Sequence, residues 1–95
     1  MQTTLTFTHN KKKYVSRQFD FETACLINDR HAQNMSAEIP DKVGILRMCM
    51  DGVVHMFDGT EATQDVIDSL PVKTKAALCG TLFNIYMEEC FSKNE

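Results

Sequence analysis

Four cysteines and three histidines are the side chains in this sequence most able to bind a metal or to act as nucleophiles. They are Cys25, Cys49, Cys79, Cys90, His9, His31 and His55. Zinc sites and redox pairs commonly contain two cysteines separated by two residues, and no such pair occurs here. Each cysteine lies in an apolar helical pattern, where a free thiol behaves as a small buried hydrophobe. We therefore predict four reduced core thiols, no bound metal and no cofactor.

Catalytic motifs are missing from the sequence. It contains no Gly-x-Ser-x-Gly elbow, no phosphate-binding glycine loop and no dinucleotide fingerprint. A cysteine nucleophile would need an exposed thiolate and a histidine base, and the cysteines lie on apolar stripes. The acidic segment Asp58-Gly59-Thr60-Glu61 lacks the alternating carboxylates and closing glutamate of a calcium loop. We predict that the protein is not an enzyme.

Four acidic residues share the face of a predicted short helix, and no basic residue follows them before Lys73. They are Asp58, Glu61, Asp65 and Asp68. One interpretation is a solvated face whose first members favour the positive end of the helix dipole. The other interpretation is a docking patch for a basic partner.

The six methionines form another group with possible functional meaning. Flexible thioether side chains fill irregular gaps in a core, and they also line surfaces that accept varied helical ligands. Met50 and Met56 fall on strong apolar stripes and are predicted core residues. Met48 and Met87 lie off those stripes and are candidates for a protein-binding surface.

Composition limits the class of protein that these residues belong to. The chain has 95 residues, of which 43% are hydrophobic and 24% charged, which predicts one globular domain. A net charge of -3 argues against a nucleic-acid partner. The basic run Lys11-Lys12-Lys13 is interpreted as a solvated hairpin tip. No signal peptide or membrane-spanning stretch is evident, so we expect a cytoplasmic protein without a membrane partner.

The elements that position these residues begin with a β-hairpin over residues 1–19. Leu5 and Phe7 alternate with threonines, and an extended pattern resumes from Tyr14 to Phe19. A two-stranded hairpin is marginal alone, so its apolar face must cover other elements. We predict that this face contains Leu5, Phe7 and either Val15 with Phe19 or Tyr14.

Residues 20–91 are predicted to form a bundle of about four helices, followed by a loose tail over 92–95. Asp20 caps a first helix, Phe21 to Gln33, with Phe21 on its apolar pattern, and a loop follows from Asn34 to Pro40. Asp41 caps a second helix that Gly59 ends. Apolar residues on two sides of this helix predict that it is the central element, and Gly52 predicts close approach of another backbone. Thr60 caps a third, short helix that Pro71 ends. The fold class is α+β, mainly α.

The last predicted helix, Lys73 to about Phe91, has an apolar arc wider than one packing surface needs. Leu78, Leu82 and Ile85 form one stripe, and Cys79, Phe83, Tyr86 and Cys90 form the next. We therefore predict that its exposed parts contact another copy or another protein. The residues predicted for this contact are Phe83, Tyr86, Met87 and Phe91, with Met48 from the second helix.

The order of motifs resembles that of the small tail assembly chaperones of long-tailed phages and prophages. The matching segments are Phe19-Asp20-Phe21-Glu22, Ala24, Leu26-Ile27-Asn28-Asp29 and Met56-Phe57-Asp58-Gly59-Thr60, followed by a long terminal helix. The resemblance implies a mainly helical protein in the bacterial host cytoplasm that forms homo-oligomers. It also implies that the protein coats the hydrophobic tape measure protein until tail tube protein replaces it during tail morphogenesis.

A different class of function remains open from the sequence. A small acidic regulator could mimic nucleic acid and block a DNA-binding protein through the Asp58, Glu61, Asp65 and Asp68 face. Salt separates the two hypotheses, because a mimic loses its partner steeply with ionic strength and an apolar groove does not. A helix-turn-helix DNA binder is a third possibility, although neither late helix carries an array of base-reading residues.

Overall fold

The computed structural model describes residues 3–35 and 44–91 of the chain. In this part of the chain two strands come first, β1 (Thr6–His9) and β2 (Lys12–Val15), and they pair antiparallel. The helices follow as α1 (Phe21–Met35), α2 (Gly44–Phe57), α3 (Gln64–Asp68) and α4 (Val72–Phe91). The predicted fold class, α+β and mainly α with an N-terminal hairpin, is confirmed.

The hairpin turn is tighter than the sequence pattern indicated, so β2 begins at Lys12 and not at Tyr14. Asn10 and Lys11 both have positive φ angles, 51° and 66°, which is the backbone of a two-residue turn whose twist matches the strands. Tyr14 is the correct alternative for the inward face of β2, since its ring stacks on Phe7 at 5.0 Å while Val15 is 49% exposed.

The hairpin covers the C-terminal end of α2. The Phe7 and Phe57 rings meet edge to face at a centroid distance of 5.2 Å, and both side chains are buried. The backbone N–H of Arg17 donates to the Met56 carbonyl at 2.9 Å, and its guanidinium donates to the His55 carbonyl. Arg17 therefore satisfies two carbonyls at the end of α2 and places a cation where the helix dipole is negative.

Asp20 starts α1 as the sequence predicts. Its Oδ1 accepts hydrogen bonds from the Thr23 backbone N–H at 2.8 Å and from the Thr23 hydroxyl at 2.6 Å. These bonds from Thr23 lower the pKa of Asp20 below its usual value, with a smaller contribution from His55. The charged carboxylate is therefore the form that stabilises the start of α1.

Replacing Asp20 with alanine is expected to lower the free energy of unfolding by about 1 kcal/mol near neutral pH. Because the folded-state pKa lies below 3.8, the stabilisation from the charge is present above that pH and disappears as the pH falls through the folded pKa. Urea unfolding at about pH 7 and about pH 3 should therefore show a difference between wild type and Asp20→Ala that shrinks in acid. Asp20→Asn keeps a capping side chain and serves as the control. An equal difference at both pH values would contradict this role.

The second helix is the central element, as predicted. Cys49, Val53, Met56 and Phe57 on α2 are all buried, and α2 packs against both α1 and α4. Gly52 lies where α1 and α4 pack closely against α2. The sequence predicted close approach of another backbone at Gly52, but the atoms that approach it belong to side chains. A Cβ added there would lie 2.9 Å from Leu82 Cδ2, 3.3 Å from Thr23 Cγ2 and 3.4 Å from Ile27 Cγ1.

Some predicted boundaries of loops and helices differ from those in the structure, and others fall outside the described residues. The loop predicted over Asn34–Pro40 begins later, because Asn34 and Met35 are still helical. The remainder of that loop and the predicted cap Asp41 lie outside the described residues, as does the tail predicted over 92–95. The last helix begins one residue earlier than predicted, at Val72.

The predicted cap of the third helix is wrong. Thr63, and not Thr60, has the extended backbone of an N-cap, and its side chain accepts a hydrogen bond from the Val66 backbone N–H. Thr60 belongs to the preceding turn, where its hydroxyl donates to the Phe57 carbonyl after α2. The left-handed Gly59, with φ of 79°, directs the chain away from α2 as predicted, and four residues, 60–63, then precede the first residue of α3.

Candidate protein-interaction surface

The C-terminal half of α4 carries an apolar groove of about 290 Å³, which we call the α4 groove. Its lining comes mainly from α4, with one polar residue from α1: Asn28, Phe83, Tyr86, Met87 and Phe91. The sequence predicted Phe83, Tyr86, Met87 and Phe91 as a contact surface, and the structure brings these four together.

Tyr86 is the floor of the α4 groove and is 5% exposed, so the expectation that it is an exposed contact residue is wrong. Its hydroxyl donates a hydrogen bond to Asn28 Oδ1 at 3.5 Å. The Phe91 ring meets Tyr86 edge-on at 5.4 Å, and the Phe83 ring lies 6.4 Å away. Burial raises the pKa of Tyr86, so its hydroxyl stays neutral and can remain a hydrogen-bond donor to Asn28.

The walls of the α4 groove are partly open. Phe91 is 55% exposed and Met87 is 42% exposed, whereas Phe83 is half-buried against the core. Contiguous exposed apolar side chains around a concave surface are typical of protein-binding sites. The aromatic rings supply a defined shape, and the flexible Met87 side chain can adapt to different partners.

A second apolar groove, of about 220 Å³, lies between α2 and the start of α4, and we call it the α2–α4 groove. Its lining residues are Leu46, Met50, Val72, Lys75, Ala76 and Cys79. Val72 on its rim is 79% exposed. The sequence does not predict this groove, because Met50 and Cys79 lie on apolar stripes that indicate core residues. The one local signal for an exposed apolar site here is Val72, which lies between Pro71 and the predicted start of the last helix.

Met48, the remaining predicted contact residue, lies in α2. Its side chain is outside the described residues, and the same holds for the side chain of His31 in α1.

The four acidic residues do not share one helical face. Asp58 and Glu61 precede α3, and only Asp65 and Asp68 lie in it. Glu61 forms an ion pair with Lys12 at the hairpin tip, which lowers the pKa of Glu61 and raises that of Lys12. The sequence interpretation failed because the helix begins three residues later than predicted, and because the hairpin supplies a cation from a distant part of the chain.

The thiols are free, but they are not all in the core. Cys49 and Cys79 are buried, Cys25 is half-buried and Cys90 is exposed, so the prediction of four core thiols is wrong for Cys90. Burial raises the pKa of Cys49 to about 12 and raises the pKa of Cys79. The pKa of Cys90 is raised by partial burial and by Glu89 and Cys25. These three thiols therefore remain protonated at neutral pH and are poor nucleophiles.

His55 is the one histidine that faces carboxylates among the described side chains. Its Nε2 lies 3.4 Å from Asp20 Oδ2 and 3.6 Å from Glu22 Oε2, so it links the end of α2 to the start of α1. Over residues 3–35 and 44–91, no group of three or more His, Cys, Asp or Glu side chains is arranged to hold a metal ion.

A larger cleft of about 410 Å³ lies between β2 and the turn after α2. Lys13, Tyr14, Val15, Gly59, Thr60 and Glu61 line it. Its lining is more polar than that of the two grooves, and Glu61 in that lining is paired with Lys12. We therefore regard the grooves as the candidate functional surface.

Within the described residues, no helix is both long and apolar enough to cross a membrane. Comparisons with protein families, curated proteins and solved structures give no match. The two apolar grooves are therefore the features of the described residues that bear on function.

Proposed function

We propose that the protein is a non-enzymatic assembly chaperone that shields the apolar face of a helical partner in the α4 groove. The observation that carries this proposal is the exposure of Phe91 and Met87 beside a concave aromatic surface. Leaving such side chains in water has a free-energy cost that a bound apolar helix would remove.

The α4 groove favours a particular kind of partner. An amphipathic helix presents apolar side chains at every third and fourth residue, and such a ridge fits a groove walled by Phe83, Met87 and Phe91. Glu88 and Glu89 are exposed next to these walls. Their charges favour a partner with lysine or arginine beside its apolar stripe.

These properties agree with the role of a phage tail assembly chaperone. In that role the client is the tape measure protein, a long hydrophobic helical chain that would aggregate when unshielded. Many weakly bound copies, associated with one another, hold such a client by avidity while each contact stays reversible. Tail tube protein can then displace them, and the bacterial host cytoplasm is where this assembly would take place.

The alternative function, an acidic nucleic-acid mimic, has less support. A mimic needs a continuous negative surface, but Glu61 is paired with Lys12, and Asp58 lies before α3. Binding at high salt separates the two functions, since screening weakens a charge-based complex far more than an apolar one.

Titration with a helical peptide tests the proposal. The probe is a synthetic helix from a tape measure protein with one leucine-rich face, and the readout is its dissociation constant at low and high salt. The double variant Met87→Glu with Phe91→Glu is expected to weaken binding about tenfold or more, because both walls of the groove become charged. Val15→Glu alters a similarly exposed apolar residue on β2 and should bind as wild type does.

Two results would overturn this function. One is that wild type and the double variant bind the peptide equally well, which would place the binding surface elsewhere. The other is that raising the salt concentration abolishes wild-type binding, which would favour the acidic alternative.

A further inference from the structure

Two side chains outside the α4 groove are the most exposed large apolar groups of the described residues. Phe21, at the start of α1, is 82% exposed, and Val72, at the start of α4, is 79% exposed. Phe21 was expected on the inward pattern of the first helix, and this expectation is wrong. As the first residue of α1, it has no preceding helical turn to cover, so its side chain extends past the helix end. Phe21 is therefore an isolated aromatic projection.

Val72 lies beside a concave apolar surface. It stands on the rim of the α2–α4 groove, whose lining is almost wholly apolar. At about 220 Å³ this groove is smaller than the roughly 300–1,000 Å³ typical of small-molecule pockets. It is of a size for one large side chain. The same chain thus presents an aromatic projection and an apolar recess, and neither is covered by the described residues.

Charges at the two places have opposite signs. Phe21 is flanked by the carboxylates of Asp20 and Glu22, which offset the positive end of the α1 dipole. Both lie near His55, but the Glu22 side chain is 79% exposed and so remains accessible to a second copy. The first turn of α4 has no acidic residue and instead contains Lys73 and Lys75, which add to the positive end of its own dipole. Lys75 donates to the Asp68 carbonyl, which does not neutralise its charge. The start of α4 is therefore a positive site beside an apolar recess.

We propose that Phe21 of one copy inserts into the α2–α4 groove of a second copy, with Glu22 facing Lys73 and Lys75. This proposal rests on the self-association that belongs to the proposed function, and it specifies the surfaces. The contact is heterologous, since the projection and the recess are different parts of the chain. Each copy can consequently bind one neighbour through Phe21 and another through its groove.

This arrangement leaves the α4 groove free. Met87 and Phe91 take no part in the contact between copies, so a row of associated copies can present several α4 grooves to one long helical client. Self-association and client binding should therefore be separable by substitution.

Sedimentation of two single variants, alone and mixed, tests the arrangement. Phe21→Ser removes the projection, and Val72→Glu places a carboxylate opposite Glu22. Each is expected to weaken self-association about tenfold or more. Val72→Glu should not unfold the chain, since an acidic residue is favourable in the first turn of a helix. In an equimolar mixture, the α2–α4 groove that Phe21→Ser retains can bind the Phe21 side chain that Val72→Glu retains. The mixture should form complexes of about twice the 10.8 kDa mass of one chain and no larger.

Phe91→Glu is the matched control, because it alters an exposed phenylalanine in the α4 groove and should leave self-association unchanged. A mixture that stays monomeric would overturn the proposal, since it would indicate a contact in which both copies use the same surface. Wild type that is monomeric at all concentrations would also overturn it. Peptide binding by the α4 groove of a single copy is measured separately and would survive either result, whereas a monomeric wild type would also remove the avidity that the proposed function includes.

Discussion

Replacing Gly52 with valine is expected to lower the free energy of unfolding by about 3 kcal/mol, the upper part of the range for overpacked cores. The first added carbon would already lie 2.9 Å from Leu82 Cδ2, and Thr23 and Ile27 close the remaining directions at 3.3 and 3.4 Å. Leu82, Thr23 and Ile27 are fully buried, so none can move away without displacing α1 or α4 from α2.

The measurement for Gly52→Val is urea unfolding followed by far-ultraviolet circular dichroism. Gly80→Val is the control, because Gly80 is also in the interior of a helix but has no atom within 4 Å of an added Cβ. That change should be nearly neutral, since valine is slightly better than glycine in a helix. Equal effects of the two substitutions on the free energy of unfolding would contradict close packing of α1 and α4 against Gly52.

Replacing Tyr86 with glutamate is expected to lower the free energy of unfolding by about 3–5 kcal/mol and to leave little folded protein. The substitution removes a buried ring that contacts Phe83 and Phe91, and it puts a carboxylate where only 5% of the side chain reaches water. The adjacent change, Met87→Glu, alters a side chain that is 42% exposed and should cost less than about 1 kcal/mol.

This neighbouring pair is informative because both residues lie near the same end of α4 and feel the same helix dipole. A difference between their unfolding midpoints therefore reports the burial of Tyr86 and the ring contacts that depend on it. If Tyr86→Glu were as stable as Met87→Glu, Tyr86 would be a surface residue, and the α4 groove would lack the floor described above.

Sequence periodicity predicted the hairpin, the central helix and the long last helix. These elements depend on local alternation and on stripes three and four residues apart, which the chain displays clearly. Periodicity could not decide which part of the wide apolar arc on α4 is covered. That depends on where α1 lies across Tyr86, through contacts such as the one between Tyr86 and Asn28, which are 58 residues apart in the chain.

The errors in the candidate site have similar physical causes. Thr60 and Thr63 are equivalent as local capping signals, and the choice between them follows from the turn that Gly59 makes after α2. Phe21 follows the apolar spacing of α1 but projects beyond it because it is the first residue of the helix. The partner of Glu61 is Lys12, from the hairpin, which no local pattern could indicate.

The central claim is that the exposed end of α4 binds an apolar helix, and the methyl NMR signals of the methionines test it most directly. Met87 lies in the α4 groove, whereas Met56 is 1% exposed in the core and serves as an internal reference. Addition of the leucine-rich helical peptide should shift the Met87 signal in a saturable way and leave the Met56 signal in place. An unchanged Met87 signal at peptide concentrations that saturate binding would contradict the account.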